Sequence, residues 1–242
     1  MNNSQPSSFK CLDIVAAAYV AILLVSNIAS SAKIVSLGVS LFSIPLAFDG
    51  GTLLFPLSYV LGDILTEVYG FNVSRRIIWT GFGTLALTAL VFYVLRVLPP
   101  ETSWEEAAGS AAYNNILGGM SSGGIVLASL AAYLAGEFSS SVILSKLKVK
   151  MKGRLLWVRT IGSTLAGELL DTLIFVLVAS AAGVFGWGLF WSLVLTNYLL
   201  KCGIEAAMTP LTYWACRFLK RKEGIDVYDV GLKYSLFNID KK

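Results

Sequence analysis

Histidine is absent from this 242-residue sequence. Its absence removes Ser–His and Cys–His nucleophile pairs, the HExxH zinc motif and haem ligation by histidine, so neither an enzyme of those classes nor a metal site is expected. Cysteine is scarce. Cys11, Cys202 and Cys216 lie far apart and form no CxxC pair, so they read as packing residues and no disulfide is expected. Charge is scarce as well: Asp, Glu, Lys and Arg make up 14% of the chain, against roughly 25% in a soluble domain. Long polar stretches are few, which leaves no room for a sizeable soluble module.

What fills the chain instead is apolar. It is 56% hydrophobic, with a mean hydropathy of +0.71. Six segments are each long enough, at about 20 residues, to cross a bilayer. They cover 12–37, 52–69, 77–98, 125–144, 155–184 and 189–214. The first is too long for a signal-peptide core and counts as a span. The fold class expected is therefore all-α integral membrane, with six transmembrane helices over 12–217. Residues 1–11 are read as a cytoplasmic N-terminus and 218–242 as a polar, solvated tail. The apolar run 38–51, broken by Pro45 and Gly50-Gly51, reads as a re-entrant or broken piece. Ala17 and Ala21 form a small-xxx-small pair, read as ordinary close helix packing. The one long connection carries Ser103 and Glu106 at capping-box spacing, so a short extracytoplasmic helix is expected near 102–115.

The net charge of +4 does not point to nucleic acid, because the basic residues cluster between apolar segments. Arg75-Arg76, the run from Lys146 to Arg154, and Arg217 with Lys220 to Lys222 occupy alternate connections. The positive-inside rule then puts both termini in the cytoplasm. The bilayer is the expected environment.

Within the apolar segments stand acids that a bilayer disfavours by about 2.5–3.5 kcal/mol each. Asp63 and Glu67 are four apart, so a helix puts both on one face. Glu168 and Asp171 are three apart, and Asn197, Lys201 and Glu205 follow at four-residue steps. At about 1.5 Å per residue, Asp63, Glu168 and Lys201 fall near mid-span, with Asn27, Asp171 and Asn197 at similar depth or slightly outward. Glu67, Glu137, Arg159 and Glu205 fall nearer the cytoplasmic side. Two layers are expected: a central binding layer, and an inner layer in which Arg159 pairs with Glu67, Glu137 or Glu205, either as a gate or as fixed helix contacts. Lys201 is read as a counter-ion of Asp63 or Glu168. Leaving aside Asp13 and Arg96 at the span ends, six carboxylates face Arg159, Lys201 and Lys33 in these spans. The surplus of acid suggests a donor-rich or cationic solute, or a proton.

Four motifs carry a resemblance. They are FPLSYVLGDILTEVYG followed by RRII, R-x3-ST-x2-GELLDT over 159–172, N-x3-K-x3-E-x4-P-x2-Y over 197–213, and LKRKEGIDVYD in the tail. In this order they resemble the queuosine precursor transporters, a family also grouped as vitamin uptake transporters. The resemblance implies a six-span fold similar to the substrate-binding subunits of energy-coupling-factor transporters. It also implies uptake of 7-deazaguanines, such as 7-cyano- or 7-aminomethyl-7-deazaguanine, across a prokaryotic inner membrane. No cofactor is implied, and monomer or homodimer is left open. The alternative is a vitamin-binding subunit that needs a separate ATPase module. A deazaguanine offers an N1–H beside an amine, and Asp63, Glu168 or Asp171 could accept both. Its carbonyl would take a donor from Lys201 or Asn197, and its flat ring a slot near Phe55, Tyr59, Trp104 or Tyr198.

Overall fold

The computed structural model describes residues 9–41, 44–184 and 186–237. Eight α-helices and one hairpin follow in the order α1 Leu12–Ala32, β1 Ile34–Leu41, β2 Ile44–Asp49, α2 Phe55–Ile64, α3 Phe71–Val97, α4 Thr102–Ala107, α5 Gly109–Ser121, α6 Gly123–Lys150, α7 Leu156–Ala181 and α8 Phe190–Glu223. The fold is a helical bundle, as expected, with one exception. Instead of a re-entrant piece, the chain after α1 forms an antiparallel hairpin in which Ile34 pairs with Asp49 and Val35 with Phe48. From Val35 on, apolar and small residues alternate in IVSLGVSL, a period of two that favours extended backbone over helix.

Among the described residues, four helical stretches are long and apolar enough to cross a membrane: Leu12–Ala32, Phe71–Val97, the continuous Gly109–Lys150, and Leu156–Ala181. The segments expected as second and sixth spans fall on α2 and α8. The first is only 10 residues, prolonged by a five-residue π-turn, Leu65–Tyr69. The second is 34 residues but carries buried Lys201 and Glu205 and an internal proline, Pro210.

Pro56, in the first turn of α2, needs no hydrogen-bonding N–H there. At the other end of the π-turn, Gly70 has φ 85°, a conformation side chains disfavour. That glycine turns the chain into α3. Behind these elements lies a core of Tyr19, Leu23, Ile64, Val68, Phe71, Ile78 and Cys216. The hydroxyls of Tyr19 and Tyr133 meet at 2.9 Å, and Tyr133 donates to the Ile78 carbonyl at 3.0 Å. Helices α6 and α7 cross in close contact: a β-carbon on Gly136 would lie 2.5 Å from Tyr59 Oη and 2.8 Å from Asp171 Cβ. Close packing of small residues therefore occurs at Gly136, while Ala17 and Ala21, expected to fill that role, face outward. The short helix near 102–115 is two helices, broken at Gly109. Its N-cap is Glu101, which accepts the Trp104 N–H, in place of the expected Ser103.

Beyond α8 the described tail stays at the surface, exposed or half-buried throughout, and it folds back over one end of the bundle. Asp229 accepts the Phe71 N–H at 2.9 Å and the Ser145 hydroxyl at 2.6 Å. The Ser235 carbonyl accepts from Arg75, and the Leu236 carbonyl from Trp79. At the same end, the N–H groups of Lys10 and Cys11 donate to the Glu223 carboxylate. The start of α1 and the end of α8 thus share one end of the bundle with the basic ends of α3 and α6.

Candidate functional site

Three helices, α2, α7 and α8, project their polar residues inward, and α1 and α6 close the ring. Two cavities and one charge cluster result.

The larger cavity measures about 60 Å3 and is lined by Asn27, Tyr59, Glu137, Asp171, Asn197 and Lys201, with Phe55, Phe175 and Tyr133 among its aromatic walls. Lys201 Nζ sits 2.5 Å from Asp171 and 3.2 Å from Glu168, and 5.3 Å from the Phe55 ring centre. The spacing of Glu168 and Asp171 along α7 puts both acids on the face met by α8, as the sequence suggests. Glu168 is fully buried behind the lysine. Asn27 turns its amide nitrogen to the Leu23 carbonyl, leaving its carbonyl oxygen as an acceptor. The Tyr59 hydroxyl and Glu137 Oε1 are buried with no hydrogen-bond partner.

Glu137 is the residue that depth estimation misplaced. The sequence put it in an inner charge layer with Arg159; the structure puts it in the wall of the larger cavity. The reason is length. α6 runs from Gly123 to Lys150, further than the segment 125–144 assumed, so Glu137 lies near its middle. Trp104 corrects another assignment: it is 41% exposed on α4 and lines neither cavity. Tyr198 donates to the Leu165 carbonyl and is likewise outside the larger cavity.

A smaller cavity of about 20 Å3 is lined by Asp63 and Glu205 together with Thr160, Thr164, Thr209 and Thr212. Of the two counter-ions expected for Lys201, Asp63 or Glu168, the lysine meets Glu168, while Asp63 takes a 3.5 Å contact from the Ser140 hydroxyl. Glu205 accepts the Thr164 hydroxyl and does not meet Arg159.

Arg159 meets Glu67 alone of the three expected partners, at 2.7 Å, and also donates to the Arg154 carbonyl. Two lysines join them. Lys220 lies 2.6 Å and Lys148 3.7 Å from the same Glu67 oxygen, and both reach Asp226 of the tail, at 2.8 and 2.6 Å. Lys148 also donates to the Glu67 and Val227 carbonyls. Burial pushes the Asp226 carboxyl up, but the two lysines outweigh it and hold the group below the ordinary aspartate value. In sequence these lysines look like topology signals. Their pairing with an acid beyond the last helix was not legible. Asp63 and Glu67 belong to different sites because the π-turn begins between them, at Leu65.

A polar cavity enclosed by helices apolar enough to cross a membrane, with acids and one lysine converging on it, defines a multi-pass membrane protein that carries a solute. Comparison with known proteins narrows the class. The family described as "Putative vitamin uptake transporter" matches residues 49–215, and the chain belongs to that family. It is 26% identical over 174 residues to the "Probable queuosine precursor transporter" of Bacillus subtilis (strain 168), covering 72% of this chain and 73% of that one. It is 28% identical over 152 residues to the "Queuosine precursor transporter" of Escherichia coli (strain K12), covering 63% of each. No solved structure matches. The matched region contains Arg159, the smaller cavity and the lining of the larger cavity apart from Leu23, Asn27 and Ser30 of α1. By the family and these relatives the chain is a membrane transporter, not an enzyme.

Proposed function

We propose that this transporter imports queuosine precursors, 7-deazaguanines such as 7-cyano- or 7-aminomethyl-7-deazaguanine, across a prokaryotic inner membrane by alternating access. The larger cavity is the solute site in this reading. The observation that carries it is the pair of unpartnered buried groups there, Glu137 Oε1 and Tyr59 Oη, set beside Asp171 and Lys201. A deazaguanine edge offers an N1–H and an amine side by side, which a carboxylate accepts as a charge-assisted pair. Glu137 is the first candidate for that role and Asp171 the second. Asp63 drops out because it does not line the cavity, and Glu168 because Lys201 covers it. Lys201 or Asn197 supplies a donor to the carbonyl, and Phe55, Tyr59 and Phe175 flank the ring.

In the same proposal α2 with its π-turn and α8 complete six spans, in an arrangement similar to the substrate-binding subunits of energy-coupling-factor transporters. Both termini are cytoplasmic. The gathering of both chain ends and the basic helix ends at one end of the bundle supports this, since cytoplasmic connections are rich in Lys and Arg. The charge cluster of Glu67, Arg159, Lys148 and Lys220 then seals the inner exit. The family description keeps a vitamin-binding subunit with a separate ATPase as the second reading. Purification from native membranes separates the two: a stoichiometric ATPase partner favours the second. Uptake of labelled 7-cyano-7-deazaguanine by proteoliposomes holding this chain alone tests the first, and its absence would refute it.

A further inference from the structure

The function proposed above leaves the smaller cavity unused. Asp63 and Glu205 are 3% and 5% exposed, and no lysine or arginine lines the cavity with them. Two neighbouring buried acids have cations: Glu67 of the π-turn has Arg159 and Lys220, and Glu168 of α7 has Lys201. Glu205 Oε1 takes the Thr164 hydroxyl, but Oε2, on a side chain lining the cavity, has no partner at all. Two buried carboxylates without a compensating charge are strongly disfavoured, and a bound cation or a proton offsets them.

The ligand set indicates which. Thr160 and Thr212 each donate a hydroxyl to a carbonyl of their own helix, as does Thr209, which leaves their oxygens as acceptors. Carboxylate and hydroxyl oxygens are hard ligands that suit hard cations. A cavity of about 20 Å3 holds one water-sized particle. Magnesium keeps several waters and needs more room; calcium, close to sodium in radius, is told apart from it by the test below.

We propose that this cavity is a sodium-ion site, with Asp63 and Glu205 as its carboxyl ligands, one ionised and one protonated so that the single charge is balanced, and threonine hydroxyls completing the shell. The same three helices line both cavities: α2 carries Tyr59 and Asp63, α7 carries Asp171 and Thr164, and α8 carries Lys201 and Glu205. Sodium occupancy therefore biases the helix positions that shape the solute site, and the two bind with reciprocal coupling. This inference does not depend on which solute is carried.

The test needs no solute. The purified full chain in detergent is melted while sodium chloride replaces choline chloride at constant ionic strength. The expected rise in Tm is about 3–6 °C at ten times the dissociation constant. Asp63→Asn and Glu205→Gln should abolish it, and Thr212→Val should weaken it. Direct binding of radioactive sodium to the wild-type protein gives the same answer if either variant fails to fold. A flat wild-type response would overturn the proposal. So would variants that keep the response, or a rise reproduced without sodium by calcium chloride or by lowering the pH.

Discussion

Replacing Glu67 by Gln keeps the shape of the side chain and removes its charge. In the folded protein that charge is shared by Arg159 at 2.7 Å, Lys220 at 2.6 Å and Lys148 at 3.7 Å, all around a carboxylate with no exposure. After the substitution, the two lysines still share the Asp226 carboxylate. Arg159, 1% exposed, keeps the Arg154 carbonyl and a neutral amide oxygen as acceptors but loses the one negative charge paired with it among the described residues. Leaving one partner of a buried pair uncompensated costs about 3–5 kcal/mol. For a domain of this size that is roughly 6–20 °C in Tm, at about 2–4 °C per kcal/mol. Arg159→Met is milder, because Glu67 retains two lysines. Loss of one charged hydrogen bond costs about 1.5–3 kcal/mol. The double variant Glu67→Gln with Arg159→Met should lose less than the sum of the two, since it removes both charges of the pair. Thermal unfolding of the four proteins in one detergent measures this. The reasoning fails if Glu67→Gln melts like the wild type, if Arg159→Met is the more damaging change, or if the two effects add.

Three further outcomes follow from other contacts. Gly136→Ala puts a methyl group against Tyr59 Oη and Asp171 Cβ, at 2.5 and 2.8 Å; it should cost about 1–3 kcal/mol by overpacking and weaken solute binding, and a neutral result would mean that α6 and α7 can separate freely. The lowered pKa of Asp226 stabilises tail docking above the unfolded aspartate value of about 3.9, and that contribution is lost as pH falls through the folded value; tail protection from protease should therefore hold from neutral pH down to that value and fail below it, whereas loss near neutrality would contradict the pairing. For topology, an impermeant thiol reagent applied from outside should label a cysteine at Ser110 and spare one at Lys150 in a background free of other cysteines; labelling at Lys150 alone would reverse the orientation.

Charges spaced along one helix were legible in the sequence. Glu168, Asp171 and Lys201 meet because three- and four-residue steps fix the face each helix presents. Charges whose partners come from distant elements were not. Lys148 and Lys220 look like loop residues until the tail brings Asp226 to them, and nothing in the tail's polar composition shows that Asp229 caps the start of α3. Depth misled where a helix was longer than its apolar core, which is why Glu137 was assigned to the inner layer. Asp63 and Glu67 appeared as one pair because four-residue spacing presumes a regular helix, and the π-turn ends that regularity at Leu65.

The central claim is that a deazaguanine edge is read by a carboxylate in the larger cavity. Its most direct measurement is the affinity of purified wild type and Glu137→Gln for 7-cyano-7-deazaguanine and for its analogue lacking the 2-amino group. The amide adds a donor facing the ligand's own donors, so the variant should lose about 10- to 150-fold for the first ligand and much less for the second, with Asp171→Asn as the parallel measurement. If both variants keep the wild-type ratio between the two ligands, neither carboxylate reads the base edge and the account of the site is wrong.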